Sequence, residues 1–98
     1  MAMGGAGCIS VLSNVVPGMA SEMTNKFFAG DLSGAAALQL KMLPLIDCLF
    51  SQVNPIPAKA AVAKLGICQD ILRLPLTPME EPQRSKLYEE MRKLGIEV

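Results

Sequence analysis

Histidine is absent from this 98-residue sequence. Without it, the Ser-His and Cys-His pairs that activate nucleophiles cannot form. The softer ligands Cys8, Cys48 and Cys68 lie far apart and include no Cys-x-x-Cys pair. Zinc and the transition metals therefore have no evident ligand set. We expect no metal and no other cofactor.

Net charge is also lacking, since nine Lys and Arg residues balance nine Asp and Glu residues. No basic cluster interleaved with aromatic residues is present, so the attraction on which nucleic-acid binding depends is missing. No apolar run approaches the ~20 residues that span a bilayer, and the start does not resemble a signal peptide. We expect a cytoplasmic protein that binds neither nucleic acid nor a membrane.

A disulfide framework is not indicated either. The three cysteines are odd in number, widely spaced and each surrounded by aliphatic residues. This pattern is typical of buried free thiols in a reducing compartment, which agrees with a cytoplasmic location.

Apolar residues are abundant, at 51% of the chain. A domain of this size buries only about two-thirds of the surface that its unfolded chain exposes. Half of the charged residues lie in the last nineteen positions, from Glu80 to Val98, so the first part of the chain resembles a core and the tail is solvated. We expect the surplus apolar surface to bind a partner, most simply another copy of the chain in a homo-oligomer.

One short strand is predicted, from Cys8 to Leu12, directly after the glycine-rich residues Gly4–Gly7. The stretch is continuously apolar, as in a strand buried on both faces. A lone strand cannot satisfy its backbone groups, and no second strand of similar quality follows. The chain therefore resembles a piece of a sheet. The glycines precede the strand, which disfavours a phosphate-binding loop because that needs strand, glycines and then helix.

Helices dominate the rest of the chain. The longest is predicted from Leu32 to Ser51 behind the capping residue Asp31, with two apolar stripes that indicate burial on two sides and a bend at Pro44. The others are predicted at 17–30, at 58–65, and from Thr77 or one turn later to Gly95, with proline starts and glycine ends.

Three polar residues, Ser10, Ser13 and Asn14, lie at the end of the predicted strand or just after it. Barrel enzymes place substrate-binding groups there, but a capping or turn role before Pro17 is the favoured alternative. Lys59 could in principle act as a desolvated amine nucleophile, although its ammonium group should reach water. No pair of neighbouring carboxylates indicates acid and base catalysis.

An ordered set of motifs resembles the end of the dihydrodipicolinate synthase family over nearly the whole chain. The motifs are Gly5-Ala6-Gly7-Cys8-Ile9-Ser10-Val11, Asn14, Gly30-Asp31, Asn54-Pro55-Ile56-Pro57-Ala58-Lys59 and Arg73-Leu74-Pro75-Leu76-Thr77-Pro78.

The resemblance implies a fragment of a (β/α)8 TIM barrel that is mainly α. Residues 1–30 would form the last β/α unit, with its strand and helix, and residues 31–98 a three-helix C-terminal subdomain. It further implies a class I lyase that condenses pyruvate with aspartate semialdehyde in lysine biosynthesis, through a Schiff base. The family's catalytic lysine, tyrosine and threonine belong to earlier strands and have no counterpart here. We expect no catalytic residue in this chain and no activity from it alone.

Three alternatives remain open. The chain could be a stand-alone helical module for interaction or oligomerisation. It could belong to another pyruvate aldolase such as N-acetylneuraminate lyase. It could also be a minimal aldolase that uses Lys59.

Overall fold

Helices account for all of the regular structure in the computed structural model, which describes residues 1–98. A 3-10 turn at Leu12–Asn14 is followed by α1 (Pro17–Phe28), α2 (Leu32–Leu49), α3 (Ile56–Lys64) and α4 (Gln83–Lys93). The four helices confirm the predicted order.

The predicted strand at Cys8–Leu12 is wrong for this chain, because no strand forms. The backbone groups of residues 5–9 make no hydrogen bonds within the chain, and the Ile9 side chain is fully exposed. Leu12 is instead buried as the first residue of the 3-10 turn. A strand is defined by its neighbours, and none of these 98 residues supplies one.

Helices α1 and α2 form a hairpin through a short connection. Pro17 occupies the first turn of α1, where its missing N–H would have no partner in any case. The chain leaves α1 through Gly30, whose φ of 90° is in the left-handed region that glycine adopts without strain. Asp31 then caps α2, its carboxylate accepting a hydrogen bond of 3.0 Å from the Gly34 backbone N–H. The proline at the helix start, the glycine at the helix end and the aspartate cap were all predicted from the sequence.

One face of α2 forms the centre of the core. Met42, Leu45 and Leu49 are almost completely buried, and Leu87 and Met91 of α4 are buried in the same apolar cluster. The second apolar stripe of α2 is only partly covered, which corrects the expectation that the helix is buried on two sides. Ile46 packs against the core. Leu40 (66%), Leu43 (37%) and Phe50 (59%) are exposed, as is Leu32 (58%) at the start of the helix.

One predicted helix start is displaced. Helix α3 begins at Ile56 and not at Ala58, because Pro57 fits the first turn, where no backbone N–H is required. Helix α4 begins at Gln83, in agreement with the later of its two predicted starts, because a residue that precedes a proline such as Pro82 is disfavoured in helical conformation. The segment before Pro82 is irregular and buries Met79 in the core.

Helix α2 also has the length and composition of a membrane-spanning helix, with a mean hydropathy of 1.3 over 18 residues. The buried core helix of a globular protein meets the same criterion, and one face of α2 is packed in this way. The helix continues through Pro44, and the bend expected there stays a prediction. The division into 1–30 and 31–98 also stays a prediction, although α1 and α2 pack together across that boundary.

Candidate functional site

The residues predicted at the barrel mouth lie where the irregular N-terminal segment leads into the 3-10 helix. The hydroxyl of Ser10 accepts a hydrogen bond of 3.2 Å from the Ser13 backbone N–H, and the Ser13 hydroxyl donates to the Ser10 carbonyl at 2.8 Å. The Asn14 amide donates to the Val11 carbonyl at 3.0 Å. These bonds are local, as in the turn role that the sequence favoured.

Ser10 and Ser13 also share one open depression of about 350 Å³ between the irregular N-terminal segment and α1, whereas Asn14 lies outside it. Thr24 and Asn25 contribute polar groups from α1. The Thr24 hydroxyl is already donated to the backbone of its own helix at 3.0 Å. No charged side chain lines the depression, so it can bind a polar group through hydroxyls and amides but holds no acid or base.

Thr24 and Asn25 were missed in the sequence. Asn25 lies opposite the apolar face of α1 that carries Met23 and Phe27, and Thr24 lies at the edge of that face. An ordinary helix surface would show the same pattern. Only their position beside Ser10 marks them, and that position depends on the fold.

Neither lysine in α3 lies in a catalytic arrangement. Lys59 is partly exposed and pairs with no carboxylate. The ammonium nitrogen of Lys64 lies 5.2 Å from the centre of the Tyr88 ring, in a cation–π contact. Burial raises the pKa of the Tyr88 hydroxyl. Neither lysine lines the depression that Ser10 and Ser13 share.

The carboxylates of the first helices are structural. Lys26 lies 3.8 Å from Glu22 and 3.4 Å from Asp31, so it bridges α1 and the start of α2. The hydrogen bond from the Gly34 N–H is the main cause that lowers the pKa of Asp31; desolvation opposes it, and Lys26 lowers the pKa further. No group of three or more His, Cys, Asp or Glu residues could hold a metal ion.

All three cysteines are free, as predicted, but only Cys48 is buried. Burial raises the pKa of the Cys48 thiol. Cys8 is exposed and Cys68 is partly exposed, which corrects the expectation that all three are buried. Cys8 lies on the irregular N-terminal segment that no other part of the chain covers.

Comparison with known proteins places these features in a family. The sequence pattern of the dihydrodipicolinate synthetase family matches residues 1–94. The chain belongs to this family. The 4-hydroxy-tetrahydrodipicolinate synthase of Alkaliphilus oremlandii is 53% identical over 97% of the chain, and that of Lachnoclostridium phytofermentans is 46% identical over 98%. In both cases the match covers 33% of the relative, so the chain spans about a third of the length of these synthases.

Solved dihydrodipicolinate synthases contain the same arrangement of helices. The enzyme from Thermotoga maritima superimposes with a TM-score of 0.94 at 38% identity, over 96% of this chain and 32% of that one. A monomeric synthase variant superimposes with a TM-score of 0.95 at 38% identity, over 98% of this chain and 32% of the other. These relatives are TIM-barrel lyases. The helices of this chain therefore correspond to a third of such a barrel enzyme.

Proposed function

We propose that these residues form the C-terminal part of a (β/α)8-barrel lyase that condenses pyruvate with aspartate semialdehyde in lysine biosynthesis, through a Schiff base on a lysine outside this chain. The observation that carries the proposal is the 53% identity to a 4-hydroxy-tetrahydrodipicolinate synthase over 97% of the chain. The parent enzyme would be cytoplasmic and would need no cofactor.

Within that enzyme, residues 1–30 would complete the last β/α unit and residues 31–98 would form the helical subdomain. Ser10, Ser13 and Asn14 would lie at the barrel mouth, where loops after the strands carry the substrate groups. Their role would be to shape and hydrogen-bond this rim, because none of them has a neighbouring base. The exposed stripe of α2 would be covered by the barrel or by another subunit of a homo-oligomer.

The 98 residues alone should be inactive. Schiff-base formation requires a neutral amine held beside the bound carbonyl compound. Lys59 and Lys64 are far from the depression at Ser10 in sequence and line none of it. The chain also lacks any histidine, and its ion-paired carboxylates are engaged with lysine or arginine side chains.

A chimera tests the proposal. The part of the Alkaliphilus oremlandii enzyme that precedes the matched region would be joined to Met1 of this chain. We expect the chimera to condense pyruvate with aspartate semialdehyde and to form a borohydride-reducible pyruvate adduct, located by peptide mass in the relative's portion. The isolated chain should give neither. Replacing Lys59 with arginine in the chimera is the matched control and should leave the adduct unchanged.

Two outcomes would contradict this function. One is a folded chimera without condensing activity. The family membership would then stand, but the proposed reaction would be rejected, and N-acetylneuraminate would be tested as an alternative substrate. The other is a stoichiometric adduct on Lys59 of the isolated chain, which would favour a minimal aldolase.

A second candidate function rests on the exposed apolar residues of α2, which fit a helical module that binds other helices. Light scattering over a concentration series distinguishes it. If the isolated chain forms one stable, defined oligomer and the chimera is inactive, the chain would be such a module.

A further inference from the structure

An apolar groove lies beside the irregular N-terminal segment. It encloses about 330 Å³ and is lined mainly by apolar side chains from three parts of the chain. Ile9 and Val11 come from the segment, Met23 from α1, and Ile46 and Phe50 from α2 and its end. Ile9 is fully exposed and Phe50 is 59% exposed. The groove is thus an unfinished core and not a closed cavity.

The backbone beside this groove is also incomplete. Residues 5–9 have no regular secondary structure, and none of their N–H or C=O groups is bonded within the chain. Such a segment presents two free edges that a neighbouring strand can hydrogen-bond. An apolar groove beside a free strand edge is the combination that strand addition requires, because the edge supplies hydrogen bonds and the groove receives alternate side chains.

The groove continues along α2. Gln39, Ile46 and Phe50 line it. Leu32 and Leu43 lie within a narrow arc of the same helix face, because Leu32 is seven residues before Gln39 and Leu43 is seven residues before Phe50. Leu32 and Leu43 are exposed. The acceptor surface, defined as residues 5–11 together with Leu32, Leu43, Ile46 and Phe50, is therefore continuous and almost uncharged.

We propose that the acceptor surface binds, without needing a covalent link, the strand-bearing polypeptide that precedes this region in the longer synthases. This inference rests on the proposed function and adds to it that the last third of the barrel and the first two thirds can associate as separate chains. The occupant is indicated by length, since the matched relatives are about three times as long as this chain.

A second copy of this chain is a poorer occupant. It has helices and the same unpaired segment, so two copies could cover only one edge of each other's residues 5–9. A strand-bearing partner can cover both edges and fill the groove with alternate side chains.

The experiment uses the chimera described above with a protease site inserted before Met1. After cleavage, the two pieces are diluted and separated by gel filtration, and amide hydrogen exchange is followed by mass spectrometry. We expect the pieces to elute together, with the amides of residues 5–9 slow to exchange in the complex and fast in the isolated chain.

Two proline variants provide a matched comparison. Ile9→Pro removes an N–H from the acceptor edge, and we expect it to weaken association about tenfold. Ile71→Pro changes an isoleucine that is 65% exposed, lies outside the groove and donates no backbone hydrogen bond. It should change the dissociation constant by less than about twofold. Phe50→Ser should weaken association without altering the backbone edge.

Separation of the cleaved pieces, fast exchange of residues 5–9 in the complex, or equal effects of the two proline variants would overturn the acceptor surface. An uncut chimera without a sheet signal in circular dichroism would also overturn it. Activity is a separate readout. A tight complex without condensing activity would support the acceptor surface and overturn the proposed function. An active uncut chimera whose cleaved pieces separate would support the proposed function and overturn the acceptor surface.

Discussion

Replacement of Leu45 by alanine tests where the stability of this chain lies. The Leu45 side chain is 1% exposed, on the face of α2 that meets the buried side chains of α4. The substitution removes three carbon atoms, each worth about 0.8 kcal/mol in transfer from water, and leaves a cavity that adds to the loss. We expect the free energy of unfolding to fall by about 2 to 5 kcal/mol.

The matched control is Leu40→Ala, five residues earlier on the same helix. Leu40 is 66% exposed, so its truncation should change the free energy of unfolding by no more than about 0.5 kcal/mol. Both variants keep a strong helix former, so helix propensity does not separate them.

Urea unfolding followed by circular dichroism measures both variants. A small domain has a total stability of only about 5 to 15 kcal/mol, so the Leu45 variant should lose much of its folded population. Equal losses for the two variants would refute the assignment of the core to one face of α2.

Three further results are expected. Ser10→Ala should cost less than about 1 kcal/mol in the same unfolding assay, because it removes one local hydrogen bond to a backbone N–H; a loss as large as that of Leu45→Ala would make the irregular N-terminal segment part of the core. The pKa of Asp31 is lowered in the folded state, so its contribution should be complete above the ordinary value of 3.8 and vanish as the pH falls through the folded pKa. Melting temperatures from pH 2 to 7 should therefore show an acid-side decrease that is smaller in Asp31→Asn. An alkylating reagent at pH 8 should modify Cys8 within minutes and Cys48 only after unfolding, because Cys48 is buried with a raised pKa; comparable rates would contradict that burial.

Features that depend on a few adjacent residues were predictable from the sequence. Gly30, Gly66 and Gly95 were expected to end helices, and each has a positive φ. Asp31 was expected to cap α2 and does so. The ion pair between Lys93 and Glu89, with a distance of 3.0 Å, follows from their spacing of four on one helix. In each case the physical cause lies within one or two turns of chain.

Features that depend on distant residues were not predictable in this way. The stretch from Cys8 to Leu12 has the composition of a strand, but strand formation requires partners that the composition does not record. Met79 lies in an irregular segment without periodicity, and its burial depends on where α3 and α4 leave space. Ser10 and Thr24 share a depression only because the turn at Leu12–Asn14 folds the segment back against α1.

The two apolar stripes of α2 explain why hydrophobic pattern alone overestimated the core. Leu45 and Leu43 are the same residue type two positions apart, yet one is 1% exposed and the other 37%. Hydrophobic periodicity reports burial in the complete assembly in which a helix works, not burial within a given stretch of chain. Under the proposed function, the difference between the periodicity and the burial seen in these 98 residues marks surface that another part of the barrel would cover. The backbone of residues 5–9 shows the same disagreement, since its composition predicts a strand that does not form. The proposal gives both disagreements one physical cause, because the chain spans about a third of the length of the matched synthases and the strands that would pair with residues 5–9 would lie in the rest of such an enzyme.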